Sequence, residues 1–314
     1  MITFGPVPSR RLGKSLGINN IISPKVCSYG CIYCQVGETV KKSIKRETFF
    51  QPELIDKKVE QHLKQLNRDN FPDYLTFVSN GEPTLDINLR TAIKLLKKQG
   101  ISVAVITNAS LMMLESVRED LFLADWVSIK IDAGDNKTWQ KINRPAPELN
   151  FEKTIESINL FADEYKGILC TETMLIKGIN DTVNNITHVS EFIKRINPGK
   201  AYLAIPIRPP SEESVNPTDS EKLNMAWQIF NNNHINTEFL TGFEGTDAGF
   251  TGNIYDDILN ITAVHPLRQD SLIKLLHNDN ADFRVVKSLI RQRLIRSTIY
   301  NGHKYYLREY HLHI

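Results

Sequence analysis

Between residues 52 and 240 the hydrophobic period of the chain switches repeatedly between helical and extended, and few folds accept that alternation. Leu54, Val59, His62, Leu63 and Leu66 recur at helical spacing behind Pro52, a residue suited to a first helical turn. Residues 74–79 are aromatic and β-branched and read as a strand. A helix over 87–98 ends at Gly100, and the pattern repeats as strand 102–107, helix 111–123, strand 126–131 and helix 151–165 behind Asn150. Strand 168–176, helix 183–196, strand 202–207, helix 220–231 and a last strand at 235–240 follow. With an earlier apolar run at 16–22, this predicts an α/β fold, a parallel sheet joined by crossover helices. Residues 1–14, with Pro6 and Pro8, read as an irregular entry segment.

Such sheets collect their chemistry at the carboxyl ends of the strands. Three cysteines follow the first strand, Asn80-Gly81-Glu82-Pro83-Thr84 the second, and Asn108-Ala109-Ser110 the third. The fourth ends in Lys130-Ile131-Asp132, the fifth in Lys177-Gly178-Ile179-Asn180-Asp181, and the sixth in Pro206-Ile207-Arg208-Pro209-Pro210. Each end is polar, charged or glycine-bearing, so one rim of the sheet is expected to hold the site. Lys130 and Asp132 alternate with Ile129 and Ile131, which puts both charges on one face and equally allows an internal ion pair.

Cys27, Cys31 and Cys34 are spaced Cys-x3-Cys-x2-Cys, close enough to hold one iron–sulfur cluster from a single loop. Three thiolates occupy three corners of a four-iron cluster and leave one iron open to a ligand that is not protein. Zinc also accepts three cysteines, but it normally closes its tetrahedron with a fourth Cys or His. The nearest histidine, His62, lies well down the following helix pattern, and Cys170 sits alone in an apolar segment, so no disulfide framework is present.

This spacing, with aromatic Tyr33 just before the last cysteine, resembles the signature of the radical S-adenosylmethionine (SAM) enzymes. The resemblance implies a partial (β/α)6 TIM-like barrel and a 4Fe-4S cluster on the three cysteines, its open iron chelated by the amino and carboxylate groups of SAM. It implies reductive cleavage of SAM to a 5′-deoxyadenosyl radical, hydrogen abstraction from a substrate, and a reductant such as flavodoxin or ferredoxin. Asn80-Gly81-Glu82-Pro83 resembles the family's Gly-Gly-Glu-Pro motif, which binds the SAM amino group; Asn80 replaces the first glycine and tolerates similar backbone. By the same resemblance Ser128 or Asp132 meets the SAM ribose, and Asn108 meets SAM or substrate. Residues 176–181, with Gly178 and Asp181, partly match the fifth-strand motif that packs on adenine, Met174 standing for its first Gly and Asp181 for its Glu. Lys130, if desolvated, is a candidate base or Schiff-base former. Arg208 is a candidate substrate-side cation, or a surface-loop residue.

Residues 241–253 hold four glycines, a loop of a length that tends to be functional. After a barrel domain at 1–261, residues 262–314 read as a separate unit. Leu272, Leu275 and Leu276 mark one helix behind Asp270 or Ser271, and a second covers 281–294, with Arg284, Lys287 and Arg291 on a face of their own. Two extended runs around Asn301-Gly302 then spell a hairpin. Helices followed by a hairpin predict a winged helix-turn-helix, able to meet nucleic acid or to dock a protein substrate. His311 and His313 read as part of a frayed end rather than as metal ligands.

Taken together, residues 4–13, the cysteine loop, 80–83, 205–210 and 262–266 are similar to radical SAM proteins with a C-terminal winged helix, grouped with the wyosine-tRNA synthases. Those synthases are expected to carry a second cluster; here only Cys170 remains, so one cluster is expected and the RNA chemistry is analogy. Two rival readings are a protein-activating radical enzyme and a nucleic-acid-binding regulator whose cluster senses redox state.

Charge is unevenly spread. Residues 1–70 carry 12 Lys and Arg against 6 Asp and Glu, residues 262–314 carry 9 against 4, and the middle carries 17 against 26. Lys41, Lys42, Lys45 and Arg46 lie behind the cysteine loop, as a solvated surface or a rim that attracts phosphate. The start Met-Ile-Thr-Phe-Gly-Pro shows no leader, and no apolar run reaches the roughly 18 residues of a membrane span, so a cytoplasmic protein is expected.

Overall fold

The computed structural model describes residues 2–22, 24–246 and 248–309, so His311 and His313 lie outside the described residues. The chain opens with β1 (Thr3–Ser9) and β2 (Gly13–Ile18), an antiparallel pair, which corrects the irregular segment expected there. β1 is a sheet edge and its register breaks between Phe4 and Val7, so Pro6 takes no bond out of a continuous ladder. A two-residue pair, β3 (Val26–Cys27) and β4 (Lys41–Lys42), brackets the cysteine loop.

Then follow α1 (Pro52–Gln65), β5 (Tyr74–Phe77), α2 (Leu89–Leu96), β6 (Ser102–Thr107), α3 (Glu115–Leu121), β7 (Trp126–Lys130), α4 (Asn136–Ile142) and α5 (Phe151–Glu164). After them come β8 (Ile168–Met174), α6 (Val183–Ile196), β9 (Lys200–Ala204), α7 (Ser220–Asn232) and β10 (Thr237–Leu240). One sheet takes the strands in the order β1-β2-β5-β6-β7-β8-β9-β10, parallel from β2 onward and curled into a half-barrel. Helix starts follow local chemistry: the side chains of Asp135, Asn150, Thr182 and Asp219 each accept from a backbone N–H in the first turn of α4, α5, α6 and α7. The helix expected over 111–123 is shorter, and α4 was not anticipated, because about two turns burying only Trp139 and Ile142 leave too short a pattern to read.

Alternation along the strands separates two faces. Outward residues such as Val103, Val105, Val127 and Ile129 are buried under α1 to α7, where Leu89, Ala92, Ile93 and Leu96 form one stripe of α2. Inward residues Ala104, Trp126, Cys170, Tyr202 and Ala204 pack around Leu12, from the turn between β1 and β2.

The chain ends with α8 (Ile254–Thr262), β11 (Leu267–Arg268), α9 (Gln269–Asn278), α10 (Arg284–Arg291), β12 (Ile295–Tyr300) and β13 (His303–Arg308). The strands form an antiparallel sheet in the order β11-β13-β12, and Asn301 and Gly302 both take positive φ, as a tight hairpin turn demands. Ile258, Leu272, Val286 and Tyr306 share a core with Phe4 and Val7 of β1, and residue 261 falls inside α8. Among the described residues no helix is long and apolar enough to cross a membrane.

Candidate functional site

The cysteine loop is laid directly on the turn after β5. Val26 makes a bridge with Gly81, and the Glu82 N–H donates to the Val26 carbonyl at 3.3 Å. Gly81 has φ +145, and a Cβ there would stand 1.7 Å from the Val26 oxygen, so only glycine lets the two segments meet. Cys27 is buried, while Cys31 and Cys34 are half-buried. Each sulfur has a donor. Asn108 Nδ2 lies 3.7 Å from Cys27 Sγ, Asn143 Nδ2 lies 3.4 Å from Cys31 Sγ, and Lys25 Nζ lies 3.0 Å from Cys34 Sγ. Burial pushes the Cys27 thiol up to about 12 and the Cys31 thiol up to about 11. Burial acts on Cys34 too, but the Lys25 ammonium outweighs it and that thiol is lowered.

Among the described residues no three His, Cys, Asp or Glu side chains form a group that could hold a single metal ion. A four-iron cluster does not need that convergence, since each thiolate binds a different iron, and hydrogen bonds to the sulfurs are among the features that tune such clusters. His62, the nearest zinc candidate in sequence, is committed elsewhere: its ring nitrogens sit 3.0 Å from Thr3 Oγ1 and 2.9 Å from the Gly5 carbonyl.

Glu82 braces the rim. Its buried carboxylate accepts from Thr84 N (3.1 Å), Thr84 Oγ1 (2.7 Å), Thr107 Oγ1 (2.6 Å) and Asn108 N (2.8 Å), tying the end of β5 to the end of β6. Burial holds that carboxyl above the usual carboxylate range, against those four donors. Asn108 then donates to Ser28 Oγ at 2.9 Å. Asn80 is buried with its N–H on Asn19 Oδ1 at 2.9 Å, and Asn20 Nδ2 donates to the Pro83 carbonyl at 3.1 Å.

A second node forms past β7. Asp132 accepts from the Tyr33 hydroxyl, from Asn143 Nδ2 (2.8 Å) and from Met174 N (2.8 Å), while Asn180 Nδ2 donates to the Asp132 carbonyl at 2.8 Å. Lys130 does not pair with Asp132. Its ammonium joins Glu172 of β8, which also takes Arg11, and stands 5.3 Å from the Tyr33 ring centre. Burial lowers the Lys130 pKa. Ser128 is buried one layer deeper, in register with Ile106 and Cys170.

A cavity of about 210 Å³ opens beside Cys34, lined by Tyr33, Ile106, Lys130, Met174 and Arg208 among others. Arg208 donates to Gln35 Oε1 at 3.0 Å, pairs with Glu244, and lies 3.2 Å from His265 Nε2; burial lowers its pKa to about 9. Gly178 and Asp181 stand apart from this cavity. Asp181 accepts from Gly178 N (2.9 Å), Thr218 Oγ1 (2.9 Å) and Lys222 Nζ (3.0 Å), and so fixes the start of α7. Sequence reasoning missed Lys25, Asn143 and Glu172, and named Asn180 only as part of a strand end. Lys25 lies two residues ahead of Cys27 and was open to notice; Asn143 caps the unanticipated α4, and Glu172 gains its meaning only from its neighbours across the sheet.

The family profile of the radical SAM superfamily matches residues 21–188, which contain the cysteine loop, Glu82, Asn108, Lys130, Asp132, Asn143 and Glu172 but not Arg208. A UPF0026 protein of Methanocaldococcus jannaschii is 45% identical over 98% of this chain and 96% of its own. Two solved structures share the fold. A radical SAM methyltransferase from Sphaerobacter thermophilus has 13% identity and a TM-score of 0.54 over 72% of this chain and 66% of that one. TYW1 with a lysine–pyruvate adduct bound has 20% identity and a TM-score of 0.52 over 71% and 75%.

Proposed function

Because this chain belongs to the radical SAM superfamily and to the UPF0026 proteins, we propose that it carries one 4Fe-4S cluster on Cys27, Cys31 and Cys34 and abstracts hydrogen from a substrate held at the barrel mouth. Enzymes of this superfamily use a 4Fe-4S cluster and SAM, which when bound supply reductive SAM cleavage and a radical able to take a hydrogen atom. The chain's own residues do the rest. Asn108, Asn143 and Lys25 direct donors at the three sulfurs and hold the loop in one conformation. The backbone of Asn80, Gly81 and Pro83 receives the SAM ammonium beside Cys27, with the Glu82 carboxylate as the brace that fixes that turn. Tyr33, Asn108 and either Asp132 or Ser128 would receive the nucleoside, Asp132 being the one at the rim, with Gly178 and Asp181 ordering the adenine-side loop. Lys130 and Arg208 face the substrate.

The observation that carries this reading is the seating of Cys27 against Gly81 at the carboxyl ends of the strands, with a donor on every sulfur of the triad. Anaerobic reconstitution with dithionite and SAM tests it. Release of 5′-deoxyadenosine, lost when the three cysteines become alanine, is the expected result. Zinc in place of iron, or iron retained without those thiols, overturns it. Cys170 lies on the inner face, away from the loop, which supports a single cluster.

We further propose domains at 1–261 and 262–314, the latter a winged helix that presents an RNA substrate. Arg284, Lys287 and Arg291 are exposed along α10, next to a hairpin that bears Arg296 and Lys304. Mass spectrometry of tRNA nucleosides from a strain lacking the gene is expected to show a missing modification. An unchanged nucleoside profile with a changed protein modification favours a protein-activating enzyme. Absence of 5′-deoxyadenosine together with tight DNA binding favours a redox-sensing regulator.

A further inference from the structure

We propose that the cavity beside Cys34 is an oxyanion site, in which Arg10 and Arg208 receive a carboxylate or phosphate group of the substrate. The assignment of that group to the substrate rests on the radical SAM reading above; the anion site itself rests on charge.

Four cations line the cavity, Arg10, Arg11, Lys130 and Arg208, against two carboxylates, Glu172 and Glu244. Each carboxylate is shared. Glu172 lies between Arg11 and Lys130, and Glu244 lies between Arg10 and Arg208. Cations thus outnumber carboxylates in the wall of one small cavity, by four to two. Burial lowers Arg10 and Arg11 to about 10 and Arg208 to about 9, all far enough above neutrality to stay charged. Of the acids set back from the wall, Glu238 is paired with Lys200, and Asp132, whose partners Tyr33 and Asn143 are neutral donors, acts on Lys130 rather than on the arginines. His265 adds no counter-charge, being a base that burial keeps neutral.

Buried cations without matching anions are costly, and a chain can carry them where a ligand completes the set. Arg10 shows the deficit at the level of atoms. Its contact to Glu244, through Nη2, is long at 3.5 Å, and among the described residues its Nε and Nη1 are buried without a hydrogen-bond partner. A guanidinium with two unfilled donors suits a carboxylate or a phosphate, which accepts charge-assisted N–H bonds. Glu244 belongs to the glycine-rich segment after β10 and is the acid such a ligand would compete with.

The test is calorimetry on the anaerobically reconstituted protein, titrated with sodium phosphate or with sodium acetate at constant ionic strength, with and without saturating SAM. The expected result is saturable binding of at least one anion that persists with SAM present. It should weaken tenfold or more in Arg10→Gln and in Arg208→Gln, with iron content unchanged, and tighten severalfold in Glu244→Gln, whose fold loses no cation. A preference for phosphate points to a phosphorylated substrate, and a preference for acetate to a carboxylic acid. No saturable binding of either anion overturns the proposal, as does binding indifferent to Arg10 and Glu244. Binding abolished by SAM also overturns it, because the arginines would then hold the SAM carboxylate. Failure of the radical SAM reading shows separately, as missing iron or missing 5′-deoxyadenosine, and leaves the isotherms untouched.

Discussion

At Gly81 one missing methyl group decides whether the cysteine loop can reach its seat. An alanine there meets the Val26 carbonyl and takes up a backbone conformation that costs about 1–3 kcal/mol on its own. Gly81→Ala is therefore expected to lower the iron content of reconstituted protein to less than half, measured by iron assay. Full iron loading would mean that the bridge to Val26 is dispensable. Glu82 makes the converse case, since its position was legible in the sequence and its role was only half so. The turn motif marks an acid, but the acid's four donors come from Thr84, Thr107 and Asn108, on two segments whose meeting requires the folded sheet. Glu82→Gln keeps the volume and sets an amide against groups that donate, so it should cost about 1–3 kcal/mol in urea unfolding.

Elements positioned by local chemistry are the ones whose loss can be estimated. Asp135 caps α4, accepting from Thr138 N at 2.8 Å and Thr138 Oγ1 at 3.0 Å, so Asp135→Ala should cost about 1 kcal/mol by urea unfolding. Because α4 ends at Asn143, the donor to Cys31 and Asp132, the same change should also slow cluster loading; an unaltered rate would separate the helix from the site.

The turn between β5 and α2 carries a pH signature. Asp86 accepts from Asn20 Nδ2 (3.1 Å) and Asn88 N (2.9 Å), yet burial pushes its carboxyl up to about 6 from the ordinary 3.8. A raised acid gives its full contribution below the unfolded value and loses it as pH rises through the folded one. The stability of the wild type relative to Asp86→Asn should thus fall by up to about 3 kcal/mol between pH 4 and 7, and a flat difference would refute it. The alternation of strands and helices was legible because long amphipathic helices and apolar strands announce their period. β1 was not, because prolines argue against a strand unless it is known to lie at an edge. The pairing of Lys130 with Glu172 was not either, because strand partners 42 residues apart leave no local trace.

Over the whole molecule, basic ends flank an acidic middle, and the exposed face of α10 concentrates the C-terminal charge. Replacing Arg284, Lys287 and Arg291 with glutamine should weaken RNA binding. It should also reduce the slope of log K against log salt by about 2 to 3, if each residue neutralises one phosphate. Filter binding across a salt series reads both, and an unchanged slope would move the RNA surface elsewhere.

Phe4 and Val7 lie in the core of the closing unit, beside Val286 and Tyr306. Strand β1 thus leaves the ribosome well before α8 and the elements after it, whose side chains bury it. Synthesis alone cannot finish the half-barrel's outer strand, and a nascent chain halted before α8 would hold two greasy side chains in water. That core closes only once β13 has been made.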